Sequence, residues 1–205
     1  MSSPCVCRLC PRLAGFRDEL QIRFPDYHNL PVDAFGPTGA RLLVIGLAPG
    51  LHGANRTGRP FTGDASGDLL FKTLYRFGFA TRDVSRSPND DMRLNGCRIT
   101  NAVKCVPPQN RPEPAEVNNC NAFLAAEIGS AEVLLVLGLE ALKAVSLALG
   151  LGKSAFTFVH GAEYATPGGQ IIVVSYHPSR RNTNTGKLTP EMFERLFTRV
   201  QELLQ

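Results

Sequence analysis

The sequence predicts an α/β fold, a three-layer α/β/α sandwich around a mostly parallel, four-stranded central sheet. Predicted strands alternate along the chain with segments of helical periodicity, the order typical of parallel α/β folds. Most of these strands are apolar almost without interruption, as strands buried on both faces of a parallel sheet are. The four predicted strands lie at 42–47, 97–103, 133–137 and 171–176.

The helices are predicted from their apolar stripes and from the residues at their ends. A short helical pattern occupies residues 13–20, near the first cysteines. Ser66 is expected to cap a helix over 67–77, which Gly78 ends. The segment 155–166 is predicted to add a small hairpin. The remaining helices are predicted at 115–128, at 140–149 and from Thr189 and Pro190 onward.

Length and composition limit the class of protein. A chain of 205 residues, 43% of them hydrophobic, is expected to form one domain over 1–205. It has no apolar run of roughly 18 residues and no apolar signal-peptide core, which predicts a cytoplasmic protein without a membrane partner. The net charge of +4 suits a polyanionic partner. Six cysteines without an export signal argue against a disulfide framework.

The loop that follows the first strand is the candidate active site. It runs from Gly46 to Asp64 without periodicity, and its many glycines allow the backbone to approach a ligand closely. Asn101 and His177 follow two other predicted strands. Ligands bind outside the carboxyl ends of strands in open α/β sheets, so these groups are expected to converge there. A flexible surface connection is the alternative interpretation of the loop.

The cysteine spacing indicates a metal site in an N-terminal cluster-binding segment. Cys7 and Cys10 lie on one tight turn, and Cys105 and Cys120 flank a proline-rich bend. Four thiolates in two groups suit zinc or an iron–sulfur cluster. A zinc ribbon usually has two Cys-x-x-Cys pairs, and this chain has one, so a [4Fe–4S] cluster is favoured and zinc is the alternative. Core packing is the structural alternative for Cys120.

Taken together, these motifs resemble the uracil-DNA glycosylase superfamily, in particular its iron–sulfur branches. The matching segments, in order, are Gly46–Gly50, Gly58–Asp64, Ile99–Cys105 and His177–Ser179, together with the four cysteines. The family-four branch carries glutamate where this chain has Leu47. That change, with Asp64 at the end of the second segment, is similar to the family-five (type b) branch, which accepts a wider range of deaminated bases.

The resemblance implies hydrolysis of the N-glycosidic bond of a deaminated base such as uracil, hypoxanthine or xanthine, during base excision repair. Such an enzyme flips the base out of the duplex. Phe61 is expected to stack on the base, and Asn101 to bind its edge. His177 is expected to donate a hydrogen bond to the departing base, while Asp64 orients water or offsets the charge of the sugar. Further base contacts are expected from Gly46 and Ala48.

A second group of residues is expected to contact DNA, both double- and single-stranded. Lys and Arg beside the site would supply salt-dependent affinity for the phosphate backbone. The protein is expected to act as a monomer. The residues of this group are Arg59, Ser179, Arg180, Arg181 and Lys187.

Two other functions fit parts of the pattern. The first is a non-catalytic, metal-containing module that binds damaged DNA. The second is a nucleotide or phosphate-ester hydrolase that uses the glycine loop as an anion cradle, although the chain has no Gly-x-x-x-x-Gly-Lys-Ser/Thr motif. A helix cap is also an ordinary role for Asp64.

Overall fold

The computed structural model describes residues 7–129 and 131–205. Within them, five strands form one mixed, mostly parallel sheet. The strands are β1 (Leu42–Gly46), β2 (Cys97–Asn101), β3 (Val133–Leu137), β4 (Glu163–Ala165) and β5 (Ile171–Ser175), in the spatial order β2-β1-β3-β5-β4. The described residues also form seven α-helices: α1 (Pro11–Arg23), α2 (Ala54–Thr57), α3 (Ala65–Arg76), α4 (Pro114–Ile128), α5 (Leu139–Ala148), α6 (Arg180–Asn184) and α7 (Pro190–Leu203).

The α/β class is confirmed, but the predicted number of four strands is wrong. The fifth strand is β4, which lies inside the predicted hairpin and pairs antiparallel with β5 at the edge of the sheet. It has three residues, two of them exposed, and therefore carries no apolar run. An edge strand of this kind is held by backbone pairing with its neighbour. Its sequence therefore lacks the apolar pattern of a buried strand.

The central strands are buried on both faces, and helices cover each face. Leu42 and Val44 of β1 point into a core with apolar residues of α3 and α7. Leu43 and Ile45 alternate to the opposite face, where α4 and α5 supply the apolar partners. This alternation explains why the strand is apolar throughout.

Two local predictions about helices differ from the structure. Asp64, not Ser66, caps α3, because its Oδ1 accepts hydrogen bonds from the backbone N–H groups of Ser66, at 2.9 Å, and Gly67, at 3.1 Å. The basic segment after His177 is not among the predicted helices, and it contains the short helix α6. Both differences lie beside the candidate active site.

The parallel strands bring their carboxyl ends to one edge of the sheet. Gly46, the last residue of β1, is paired in register with Asn101, the last residue of β2. The chain beyond β2 continues this pairing, since the N–H of Ala102 donates to the carbonyl of Gly46 at 2.9 Å. The loops that follow β1, β2 and β5 therefore meet. In the part of the chain described, no helix is long and apolar enough to cross a membrane.

Candidate active site

A cleft of about 530 Å³ lies at the carboxyl edge of the sheet, where ligand sites of open α/β folds occur. The loop after β1 forms much of its wall, and the ends of β2 and β5 supply polar groups. Its lining includes Leu47, Ala48, Pro49, Gly50, Phe61, Asp64, Ser66, Asn101, Asn110, His177, Ser179 and Arg180. Asp64, Asn101 and His177, which are far apart in the sequence, thus share one cleft.

Gly46 allows Asn101 and Phe61 to pack against the end of β1. A Cβ atom at Gly46 would lie 2.5 Å from Oδ1 of Asn101 and 2.7 Å from the ring of Phe61. Any side chain at this position would therefore displace one or both groups. Gly46 is buried and acts by leaving space for the two residues.

The backbone of Phe61 is held in an uncommon conformation. Its φ angle is +55°, in the left-handed region that costs a bulky residue energy. A Cβ atom at Gly67 would overlap the carbonyl oxygen of Phe61, so α3 packs directly on this turn. The ring is 6% exposed and lines the cleft. Close packing from two sides holds the strained turn in place.

The two carboxylate oxygens of Asp64 have different surroundings. Oδ1 caps α3, as described above. Oδ2 lies beside the glycine loop, since a Cβ atom at Gly50 would be 3.5 Å from it and one at Gly53 would overlap it. Among the described residues, no hydrogen bond reaches Oδ2. The cap fixes the carboxylate and leaves one oxygen for the cleft.

His177 follows β5 and faces Phe61, with ring centroids 6.0 Å apart and 28° between the ring planes. Burial lowers the pKa of His177 from its ordinary value, and the opposing charge of Asp64 acts in the other direction. The ring is therefore neutral at pH 7 and can donate one N–H. Asn182 fixes the backbone here, because its Nδ2 donates to the carbonyl of His177 at 2.8 Å.

The polar groups of the cleft keep hydrogen-bonding capacity for a ligand. Within residues 7–129 and 131–205, the side-chain amide of Asn101 and the ring nitrogens of His177 make no hydrogen bond to protein, as is also true of Oδ2 of Asp64. Asn101 is buried, and Asp64 and His177 are partly buried. Polar groups in such positions are normally paired, so a set of free groups in one cleft indicates ligand recognition. Part of the surrounding wall is apolar, which strengthens hydrogen bonds to a bound molecule.

The structure adds Asn110 to the residues that the sequence analysis selected. Asn110 lines the same cleft and ends a 3-10 turn (Pro108–Asn110) in the proline-rich bend. Gln109 and Asn110 both have positive φ angles, +55° and +57°. Asparagine tolerates this conformation better than most residues. An asparagine in a proline-rich segment was therefore the sequence feature that could have indicated a tight turn here.

The basic residues after His177 are not all placed alike. Ser179 and Arg180 line the cleft, while Arg181 and Lys187 are exposed beyond it. Nζ of Lys187 lies 4.8 Å from the centroid of the Tyr176 ring. Arg180 and Arg181 begin α6, which directly follows the cleft.

Arg59, predicted to contact DNA, is instead buried, with 7% of its surface exposed. Its Nη1 forms an ion pair with Asp90 at 2.6 Å and donates to Oγ of Ser85 at 2.9 Å. Nη2 donates to the carbonyl of Pro88 at 2.6 Å, and the guanidinium lies over the ring of Phe35. These contacts tie the glycine loop to residues 85–90, so we do not include Arg59 among residues that can contact DNA.

The four predicted ligand cysteines lie in one region beside the cleft. Cys10, Cys105 and Cys120 are buried in a single apolar cluster, and Cys7 is partly exposed. Ala48 packs against this cluster and also lines the cleft. The described cysteines form no disulfide. Cys97 is fully buried in β2, and Cys5 lies outside the described residues.

The surroundings of these cysteines include two N–H donors. Nδ2 of Asn119 donates to Sγ of Cys10 at 3.5 Å, and the backbone N–H of Lys104 is close enough to Cys120 to lower the pKa of its thiol, against the larger effect of burial. Burial raises the pKa of Cys105 to about 12 and also raises that of Cys120. Within the described ranges, no group of three or more His, Cys, Asp or Glu side chains is arranged to hold a metal ion.

Comparison with known proteins matches residues 34–201 to the model of the uracil DNA glycosylase superfamily. The chain is 46% identical to a type-5 uracil-DNA glycosylase of Thermus thermophilus, over 97% of this chain and 94% of that protein. It is 41% identical to one of Mycobacterium bovis (97% and 78%) and 40% identical to one of Pyrobaculum aerophilum (95% and 87%). These matches confirm the resemblance noted from the motifs. The chain belongs to the uracil DNA glycosylase superfamily.

Proposed function

We propose that this protein is a monofunctional DNA glycosylase that flips uracil out of DNA and hydrolyses its N-glycosidic bond, as a first step of base excision repair. The observation that carries this proposal is the convergence of Asp64, Asn101 and His177 on one cleft. All three offer groups without protein hydrogen bonds, next to an aromatic ring. Family membership and the relatives' names support the same activity.

The cleft supplies the contacts that a flipped base needs. Flipping costs a few kcal/mol in lost stacking and pairing, which the pocket must offset. Phe61 offers an aromatic face, and the Asn101 amide offers a donor and an acceptor for the edge of the base. Gly46 leaves the space that both residues occupy. Ala48 adds an apolar wall, and Asn110 a second amide.

Asp64 and His177 carry the chemistry in this proposal. As the glycosidic bond breaks, negative charge develops on the base and positive charge on the sugar. A neutral His177 donates a hydrogen bond to the base oxygen and stabilises the departing anion. Oδ2 of Asp64 orients the attacking water or offsets the charge of the sugar. Leu47 and Ala48 are apolar, which leaves Asp64 as the acid of this wall.

The segment after His177 is proposed to contact the DNA backbone. Ser179 and Arg180 lie at the cleft, so they would contact phosphates close to the flipped nucleotide. Arg181 and Lys187 are exposed and would add salt-dependent affinity. We propose that the protein binds both duplex and single-stranded DNA and that it does so as a monomer.

A [4Fe–4S] cluster held by Cys7, Cys10, Cys105 and Cys120 is the cofactor that we propose, with zinc as the alternative. The chemistry of the donor set supports such a group, because three of the four thiols share one buried apolar region and an N–H donor faces Cys10. No three of the described side chains are arranged to hold a single metal ion, which favours the cluster over zinc. Buried thiols with raised pKa values stay protonated unless a metal replaces the proton. The bound cluster would tie α1 to the bend before α4.

The test is single-turnover release of base from duplexes that carry uracil, hypoxanthine or xanthine, with abasic sites detected by alkaline cleavage. We expect release of uracil. We also propose that the protein accepts a wider range of deaminated bases, and we therefore expect release of hypoxanthine and xanthine. An undamaged duplex and free deoxyuridine monophosphate are the controls. Tight binding to the uracil duplex without base release would replace the proposal by a non-catalytic damage-binding module. Hydrolysis of the free nucleotide alone would indicate a nucleotide hydrolase.

A further inference from the structure

Among the described residues, Arg17 of α1 is a buried cation without a carboxylate ion-pair partner. It is 5% exposed, and its Nε is buried without a hydrogen-bond partner among the described residues. Its Nη2 donates to the carbonyl of Cys7 at 2.7 Å. Arg17 also lies close enough to Cys105 for its charge to act on that sulfur. A buried, unpaired charge is unfavourable, so an anion is expected beside it.

The other charged residues around the cysteines have their own partners. Arg12, one turn earlier on α1, forms a bidentate pair with the buried Glu116, at 2.8 and 2.7 Å. Lys104 is buried next to Cys105 and pairs with Glu127 at 2.7 Å. Within the described part of the chain, no ion pair includes Arg17. Asp18, on which the charge of Arg17 also acts, is paired with Arg8, so among the described residues we assign the cysteine sulfurs to Arg17.

We propose that Arg17 is the counter-ion and positioning residue of the cluster. The inference rests on the proposed cofactor. Four thiolates give the bound group a net negative charge, which the guanidinium offsets. Its Nη2 holds the first ligand turn through the carbonyl of Cys7, and its Nε–H is left for a sulfur. Net charge and hydrogen bonds to sulfur set the reduction potential of such clusters.

The experiment compares Arg17→Gln with Arg17→Lys in the full chain, purified without oxygen. Glutamine keeps an N–H donor and removes the charge, whereas lysine keeps the charge. Arg23→Gln, at the exposed end of the same helix, is the control. The readouts are iron per chain, the reduction potential of the cluster and its rate of loss to a chelator.

We expect the glutamine variant to have a more negative reduction potential and roughly 10–100-fold faster cluster loss, because the charge that favours the reduced form is gone. The lysine variant should keep most of the wild-type potential. Failure of the glutamine variant to retain iron, with retention in the lysine variant, would also support the role. Equal potentials and loss rates in the wild type and both variants would overturn it. Wild-type protein without iron would instead overturn the proposed cofactor itself.

Discussion

The cleft and the cysteine region lie on two sides of the same loop, and Ala48 contacts both. In the cleft, Asp64, Asn101 and His177 keep polar groups that bond to no other described residue and are accessible to a ligand. In the cysteine region the thiols are mostly buried, and most charged neighbours are paired. A site that binds and releases a substrate must keep hydrogen-bonding groups free for it. A site that holds a permanently bound cofactor is instead enclosed by the surrounding protein. Substitutions in the two regions should therefore have different consequences.

The largest effect is expected in the cysteine region. Cys105→Ser replaces a buried thiol in the apolar core that packs α1 against the chain after β2. Because metal binding and folding are coupled in such sites, we expect loss of iron and little folded protein. Iron analysis and circular dichroism measure the result. Cys97→Ser, in β2, is the control for removing a buried thiol elsewhere. Folded, iron-containing Cys105→Ser protein would contradict a structural role for this region.

Arg59→Met should destabilise the glycine loop without removing a group that faces the cleft. Removing one partner of a buried ion pair costs about 3 kcal/mol, because the Asp90 carboxylate loses its charge partner and keeps only its backbone N–H donors. Arg76→Met, which breaks an exposed pair with Glu194, is the control and should cost below about 1 kcal/mol. Urea denaturation measures both free energies. Equal losses in the two variants would show that the buried network does not anchor the loop.

The Arg59 network also predicts a dependence on pH. Burial raises the pKa of Asp90, but the bonds from Arg59 and from backbone N–H groups outweigh it and lower the value to about 2. The pKa in the unfolded chain is about 3.9. The stabilisation is therefore present above about pH 4 and is lost as the pH falls toward 2. Arg59→Met should lose less stability than the wild type over that interval.

His177→Ala should affect the rate and leave stability nearly unchanged. Loss of one hydrogen-bond donor to a developing anion lowers the rate by roughly 10²–10³-fold. Because burial lowers the pKa of His177 from its ordinary value, the ring is protonated only at a lower pH than an exposed histidine, and we expect no change in wild-type rate around the ordinary histidine pKa. Single-turnover base release from a uracil duplex gives both results. A wild-type rate in the variant would refute the donor role.

The smallest effect is expected at the exposed edge of the site. Arg181→Ala should weaken binding to all duplexes alike and reduce the salt slope of affinity by about one, because it removes a phosphate contact. Arg41→Ala is the control, since Arg41 precedes β1 at the opposite edge of the sheet. Binding titrations at several salt concentrations measure the slopes. Identical slopes for wild type and Arg181→Ala would remove this residue from the DNA contacts.

The structural features that depend on a local sequence pattern could be predicted from the sequence. β1 and the glycine loop were predictable because an apolar strand before a glycine-rich stretch has a characteristic pattern, and the ordered motifs indicated the family. Arg59 was misplaced because its partner Asp90 lies 31 positions away, and a charged loop residue resembles an exposed one until that pairing is known. The unpaired state of Arg17 also depends on tertiary contacts. β4 is too short and exposed to leave a pattern.

The proposed function depends on separate roles for the two carboxylate oxygens of Asp64: Oδ1 caps α3, and Oδ2 acts in catalysis. Asp64→Asn is the direct test, because asparagine caps a helix about as well as aspartate and keeps the size of the side chain. The account predicts wild-type stability and binding to a uracil duplex, with single-turnover base release slowed by roughly 10²–10⁴-fold. A folded Asp64→Asn protein that releases uracil at the wild-type rate would contradict the account.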